Sequence, residues 1–145
     1  MECNVRWMGQ EGMSFVAETG SGHLVAMDGS PEAGGRNLAP RPMEMLLLGA
    51  GGCTAFDVVL ILKRGRHAVS RCDVHLTAER AADDPKVFTR IEMRYTVRGN
   101  GLKRAAVERA VSLSHEKYCS ASAMLAHTAA ITWTLDVLED EPAAP

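Results

Sequence analysis

An α+β fold is predicted by three observations on this chain. Short strand-like segments separated by glycine-bearing turns open it, one long apolar helical stretch occupies its middle, and alternating and helical patterns succeed one another afterwards. Its 145 residues fit a single domain, 1–145, large enough to bury most of its apolar surface without disulfide staples.

Cys3 to Trp7, Ser14 to Thr19 and His23 to Asp28 read as a three-stranded meander, punctuated by turns such as Gly20-Ser21-Gly22. Residues 29–42 hold Pro31, Gly34, Gly35, Pro40 and Pro42, which no helix or strand tolerates together, so they form a loop. Pro42 suits the first turn of a helix. From Met43 to about Lys63 the residues are apolar nearly all round, with Glu44 and Asp57 the only acids, which predicts a buried central helix ended by Arg64-Gly65. A membrane span is the competing reading of Met45 to Leu62. Asp57 and the glycines Gly49, Gly51 and Gly52 argue against it. Each of these glycines costs about 1 kcal/mol against alanine, and close approach of another backbone would offset that cost.

Cys72 to Glu79 and Thr89 to Val97 alternate as half-buried strands, joined through the turn residues Ala82-Asp83-Asp84-Pro85-Lys86. Asp83 and Asp84 read as solvated turn residues rather than metal ligands. From Leu102 to about Tyr118, Ala106, Val107, Ala110, Val111 and Leu113 recur at helical spacing. A short helix is expected over Ser122 to Thr128, capped by Ser120 or Ser122, then a strand from about Ala130 to Leu138 and a frayed tail, 139–145.

Sixteen basic residues against eighteen acidic ones give a net charge of −2, so no cationic field favours nucleic acid or anionic lipid. Met1 to Arg6 does not read as a signal peptide, and a cytoplasmic location is expected. There the four cysteines, without a Cys-x-x-Cys pair, are thiols rather than a disulfide scaffold. Neither a phosphate-binding glycine loop nor a metal-ligand spacing is present, so no bound cofactor or metal is expected. The five histidines are scattered and decide nothing.

Two cysteines carry the chemical interest. Cys53 lies inside the apolar helix, where Leu46, Leu47, Leu48, Phe56 and Leu60 would wall it from water and admit only a small or apolar oxidant. Buried cysteine is also a common packing residue, so the setting alone does not separate the two roles. Cys119, in Lys117-Tyr118-Cys119-Ser120-Ala121-Ser122, sits where one helix ends and another begins, and helix amides with Lys117 would favour its thiolate. Asp57, four residues beyond Cys53 and about 40° around the helix, would disfavour a thiolate at Cys53 unless a cation offset it. Arg36 and Arg41 in the loop are the candidate cations. Cys3 and Cys72 fall in predicted strands and read as packing residues.

This arrangement resembles the OsmC/Ohr family of small thiol peroxidases, over most of the chain. In Pro42-Met43-Glu44-Met45-Leu46-Leu47-Leu48-Gly49-Ala50-Gly51-Gly52-Cys53 the proline precedes the cysteine by 53 − 42 = 11 positions, as in the family's proline-led segment. Glu116 to Ser120, Glu-Lys-Tyr-Cys-Ser, is similar to the second motif of its YhfA-like branch. The resemblance implies an OsmC-like fold of antiparallel sheets about a long buried helix, in an intertwined homodimer with sites at the interface. It further implies Cys53 as the peroxidatic thiol, Cys119 as the resolving one, an arginine and a glutamate at the reactive sulfur, small organic hydroperoxides as oxidants, and a lipoyl-type dithiol or other thiol reductant. Arg36 and Glu44 are the positions onto which the arginine and glutamate roles fall. Met43 stands directly after the proline where the organic hydroperoxide branch has glutamate, and on a continuous helix Glu44 faces away from Cys53 unless the helix bends or starts near Met45. A non-enzymatic redox sensor or a small apolar ligand-binding protein on the same fold is the alternative function.

Overall fold

The computed structural model describes residues 1–9 and 12–140. They fall into two compact units, one running from Met1 to Leu48 and the other beginning at Gly49.

The first unit contains the expected meander. Strands β1 (Cys3–Trp7), β2 (Phe15–Thr19) and β3 (Leu24–Met27) pair antiparallel in the order β1-β2-β3. Cys3 is exposed on β1, so it is not the packing residue the sequence suggested. Beyond β3 the chain forms a loop containing one 3₁₀ turn, Pro31–Ala33. Asp28, buried at the end of β3, organises it: its carboxylate accepts the amides of Gly29, Arg36 and Leu38 and the Ser14 hydroxyl. These bonds, the Leu38 amide foremost, hold its pKa below the usual carboxylate range against the opposing effect of burial.

Helix α1 (Pro42–Arg64) starts at the proline and runs unbroken. Glu44 Oε2 accepts the Arg41 amide at 2.8 Å, a first-turn bond that satisfies a donor at the helix entrance. By length and composition α1 could cross a membrane. Its buried residues nevertheless follow a narrow stripe, Ala50, Gly51, Thr54, Val58 and Leu62, at the three- and four-residue spacing of one helix face. Leu46, Leu48 and Phe56 are exposed. The helix is therefore buried along one side and not all round, because an apolar composition does not determine how many faces a single chain can cover. The residue that turns left-handed after α1 is Arg66, at φ 58°, rather than Gly65.

In the second unit, β4 (Ala68–Arg80) and β5 (Phe88–Asn100) form a long antiparallel hairpin. Ile91, Met93, Tyr95 and Val97 point to one face of β5 and are buried there. Helix α2 (Arg104–Leu113) follows, and Val107, Ala110 and Val111 form its buried face. The predicted helix to Tyr118 does not continue regularly: Ser114–Tyr118 widens into a π-helical turn. Helix α3 (Ser120–Leu125) is shorter than expected and starts earlier. Strand β6 (Ala130–Glu139) then pairs with β5 in parallel, giving the sheet order β4-β5-β6. The antiparallel expectation fails at this edge because the helical segment between β5 and β6 returns the chain to the end at which β5 began. Glu139 closes β6, and the Asp140 amide bonds to the Gly99 carbonyl, so the frayed tail does not begin at 139; residues 141–145 lie outside the described residues.

Gly51 has a local reason. A Cβ built there would lie 2.7 Å from Leu76 Cδ1 of β4, so the strand's side chain occupies the space that the missing side chain leaves. At Gly49 and Gly52 such a Cβ would meet nothing within 4 Å.

Candidate functional site

All the residues of the candidate site lie in the second unit. Cys53 and Asp57 are four residues apart on α1 and share a face. Cys119 joins them from the junction between the π turn and α3. The two sulfurs and a carboxylate oxygen of Asp57 lie within 4.8 Å of one another. Cys53 is half-buried, whereas Cys119 is only 2% exposed.

The π turn positions Cys119. One extra residue per turn moves the chain off the α2 axis, and the Cys119 amide returns to the Ser114 carbonyl at 2.8 Å. Cys119 then caps α3 itself, with its sulfur accepting the Ser122 amide at 3.4 Å. The expected cap, Ser120 or Ser122, is displaced by one position or more. Burial raises the Cys119 thiol pKa, the neighbouring Cys53 raises it further, and the hydroxyl and amide of Ser122 only partly oppose this. Helix amides therefore do not make Cys119 the readily ionised thiol that the sequence suggested. Lys117 offers little help, since its ammonium lies over the Tyr118 ring, 5.5 Å from the centroid. Ser122 Oγ is itself buried without a regular hydrogen-bond partner among the described residues.

Behind the cysteines runs a chain of hydroxyls. Tyr95 Oη and Thr54 Oγ1 are 2.6 Å apart, Thr54 Oγ1 and Ser114 Oγ 2.9 Å, and Ser114 donates to Asp57 Oδ2 at 3.0 Å. His115 Nε2 lies 2.8 Å from Tyr95 Oη. Each hydroxyl has a single hydrogen, so Ser114, which donates to Asp57, accepts from Thr54, and Thr54 accepts from Tyr95. Tyr95 Oη also faces Met93 Sδ at 3.7 Å, and the direction of its contact with His115 follows the imidazole tautomer. Burial lowers the pKa of His115 and raises that of Tyr95. The His115 ring stacks on Trp133, 6.3 Å between centroids and 9° from parallel.

Of the residues singled out from sequence, Cys53 and Cys119 are brought together. Arg36 and Glu44 belong to the first unit, where the Arg36 amide bonds Asp28 and the Glu44 carboxylate bonds the Arg41 amide. A helix start near Met45, which would have changed the face Glu44 presents, does not occur. Leu46, Leu48 and Phe56 do not wall the thiol within one chain, being exposed. Cys72 is half-buried, its thiol pushed up to about 11 by burial and by Asp73. Thr54, Tyr95, Ser114 and His115 were not expected. One signal existed: Thr54 and Asp57 place two polar groups three residues apart on a helix that is otherwise apolar.

The model of the OsmC-like protein family matches residues 34–134, more than half of the chain. The chain belongs to the OsmC-like family. It is 48% identical over 138 residues to Protein YhfA of Escherichia coli K12, covering 95% of this chain and 98% of YhfA. Among solved structures, a hypothetical protein from Aquifex aeolicus VF5 is 28% identical with a TM-score of 0.82, covering 97% of each chain. The organic hydroperoxide resistance protein OhrB of Bacillus subtilis shares the OsmC-like fold at 17% identity and a TM-score of 0.63, covering 94% of this chain and 98% of that one.

Proposed function

We propose that this OsmC-like protein is a thiol-dependent peroxidase for organic hydroperoxides, with Cys53 as the attacking thiol and Cys119 as the resolving one. The observation that carries this reading is the pairing of a half-buried sulfur with a buried one within 4.8 Å. The more accessible Cys53 meets the oxidant, and Cys119 waits behind it. In the first step the Cys53 thiolate attacks the distal peroxide oxygen, the O–O bond breaks, and the alkoxide leaves and takes a proton, giving Cys53 sulfenic acid and an alcohol. In the second, the Cys119 sulfur displaces hydroxide from that sulfenic acid, and water and a Cys53–Cys119 disulfide result. An external thiol or lipoyl-type dithiol restores both thiols. A cytoplasmic setting would keep the four free cysteines reduced between turnovers.

A homodimer fits this reading. Leu46, Leu48 and Phe56 are exposed along α1, and Gly49 and Gly52 have open space where a side chain would stand. A second copy laid on this face would cover it and complete an apolar entrance that favours hydroperoxides with hydrocarbon tails. The family resemblance implies an arginine at the reactive sulfur, and Arg36 is the residue it points to.

The raised pKa of Cys119 favours a second reading, a slow, non-enzymatic redox switch on the same fold. Stopped-flow oxidation with one equivalent of cumene hydroperoxide, followed by intact mass, decides between them. Rapid loss of two hydrogens and repeated turnover with dihydrolipoamide support the peroxidase. A single slow oxidation without turnover supports the switch, and no mass change removes both.

A further inference from the structure

The three donors that converge in the second unit form a geometry that goes beyond thiol chemistry and does not depend on the peroxidase reading. We propose that Cys53, Asp57 and Cys119 bind a thiophilic divalent cation of the zinc class through two sulfurs and one carboxylate oxygen, leaving a fourth position open to water or a small ligand.

The donor set suits zinc in kind and in placement. Sulfur and carboxylate oxygen are both zinc ligands, and tetrahedral coordination at a Zn–S distance of about 2.3 Å separates two sulfurs by about 3.8 Å. The donors here lie within 4.8 Å of one another, so rotamer adjustments of about 1 Å or less close them around an ion. Two of them come from one helix face at four-residue spacing, a rigid pair, and the third is fixed at the start of α3.

Supporting bonds are already made. Asp57 Oδ2 accepts from Ser114, which orients the carboxylate, and the Ser114 hydroxyl is in turn held by Thr54 and Tyr95. The Cys119 sulfur accepts the Ser122 amide, a bond that stabilises a thiolate. Such outer partners tune metal ligands as strongly as many direct ones do. A divalent cation held by two thiolates displaces both thiol protons. No local sequence spacing announced the site, because its third donor comes from a separate element, 119 − 57 = 62 residues further on.

Occupancy would engage both sulfurs, so cation binding and oxidation of this pair exclude each other. The test is titration of the reduced full-length chain with Co²⁺ and Zn²⁺. One equivalent of Co²⁺ should give thiolate charge-transfer absorption with the visible bands of a tetrahedral ion, and about two protons should be released per zinc bound. X-ray absorption at the zinc edge should count two sulfur neighbours. Cys53→Ser and Cys119→Ser should each weaken zinc by about 100-fold or more, and Asp57→Asn by at least about tenfold. The Cys3→Ser, Cys72→Ser double variant should bind as the parent does. If Cys119→Ser does not fold, Cys53→Ser at its half-buried helical position carries the same comparison. Unchanged affinity in Cys53→Ser or Asp57→Asn, a different sulfur count, or loss of binding in the double variant overturns the site. Peroxide turnover without zinc binding would remove this proposal alone, and zinc binding without turnover would remove the peroxidase alone.

Discussion

The Ser114 hydroxyl donates to Asp57 Oδ2 at 3.0 Å, linking the π turn that follows α2 to the face of α1 that bears Cys53. Ser114 is buried, and its oxygen also meets Thr54 Oγ1, so it is the joint through which the hydroxyl chain reaches the carboxylate. Removing a buried partner leaves the remaining groups to bear their desolvation cost. Ser114→Ala should therefore destabilise the chain by about 1–3 kcal/mol in urea unfolding, and Thr54→Val by a similar amount, since valine keeps the shape but leaves Tyr95 and Ser114 short of a partner. The double variant should cost less than the sum, because both changes break one network. Full additivity would show that the two bonds act separately.

The pH dependence of stability should have two components. Burial depresses the pKa of His115 below 6.5, so the unfolded chain binds its proton more readily than the folded one. That contribution is complete above pH 6.5 and is lost as the pH falls through the folded pKa. Asp28 has a carboxylate pKa held below 3.8 by the amides around it, so its contribution is present above that value and lost on further acidification. The urea midpoint should fall on acidification below about pH 6.5 and again below about pH 4. Asp28→Asn should remove the second decline and leave the first; a variant that keeps both places the acid-sensitive group elsewhere.

Two glycines one residue apart should respond in opposite ways. At Gly51 a methyl group meets Leu76 Cδ1 at 2.7 Å, so Gly51→Ala must move that side chain and should cost about 1–2 kcal/mol, less about 1 kcal/mol of gained helix propensity. At Gly52 the same methyl meets nothing within 4 Å among the described residues, and helix propensity alone should stabilise an isolated chain by about 1 kcal/mol. In a homodimer packed on this face the gain turns into a clash. Gly52→Ala should then raise the dimer dissociation constant measured by sedimentation, and an unchanged constant would place the partner on another surface.

The meander, the β4–β5 hairpin and the buried face of α2 were legible because their period and turn residues are local properties. Tyr95, for example, falls on the alternating face that Ile91, Met93 and Val97 already mark as buried. The parallel pairing of β6 was not legible, since its direction depends on a helical crossover and no residue within β6 encodes it. The break after Leu113 is similarly silent: Ser114 and His115 continue the helical register, and the bonds they make where the chain widens go to Asp57 and Tyr95, which lie far away in sequence.

In the candidate site, the i, i+4 relation of Cys53 and Asp57 could be read directly, whereas their approach to Cys119 was available only through family resemblance. The electrostatic reading that favoured Cys119 missed its burial. That is a tertiary property, and for a thiol with 2% exposure it outweighs one backbone amide at 3.4 Å.

Differential thiol chemistry should separate the four cysteines. Cys3 is exposed, Cys53 half-buried and Cys119 buried, while the Cys72 thiol is pushed up to about 11, so alkylation of the native chain should reach Cys3 and Cys53 well before Cys119 and Cys72. Cys53→Ser should abolish organic hydroperoxide turnover with little change in unfolding midpoint, because serine preserves size and lacks the nucleophilic sulfur. Cys119→Ser should still consume about one equivalent of hydroperoxide and then stop, leaving a sulfenic acid on Cys53 that dimedone traps. Cys3→Ser and Cys72→Ser should turn over as the parent does. Dimedone found on Cys119 in the Cys53→Ser chain, together with retained turnover, would reverse the two roles. That outcome would require the buried sulfur to be reached first, and would replace accessibility with the amide bond to Cys119 as the feature that selects the attacking thiol.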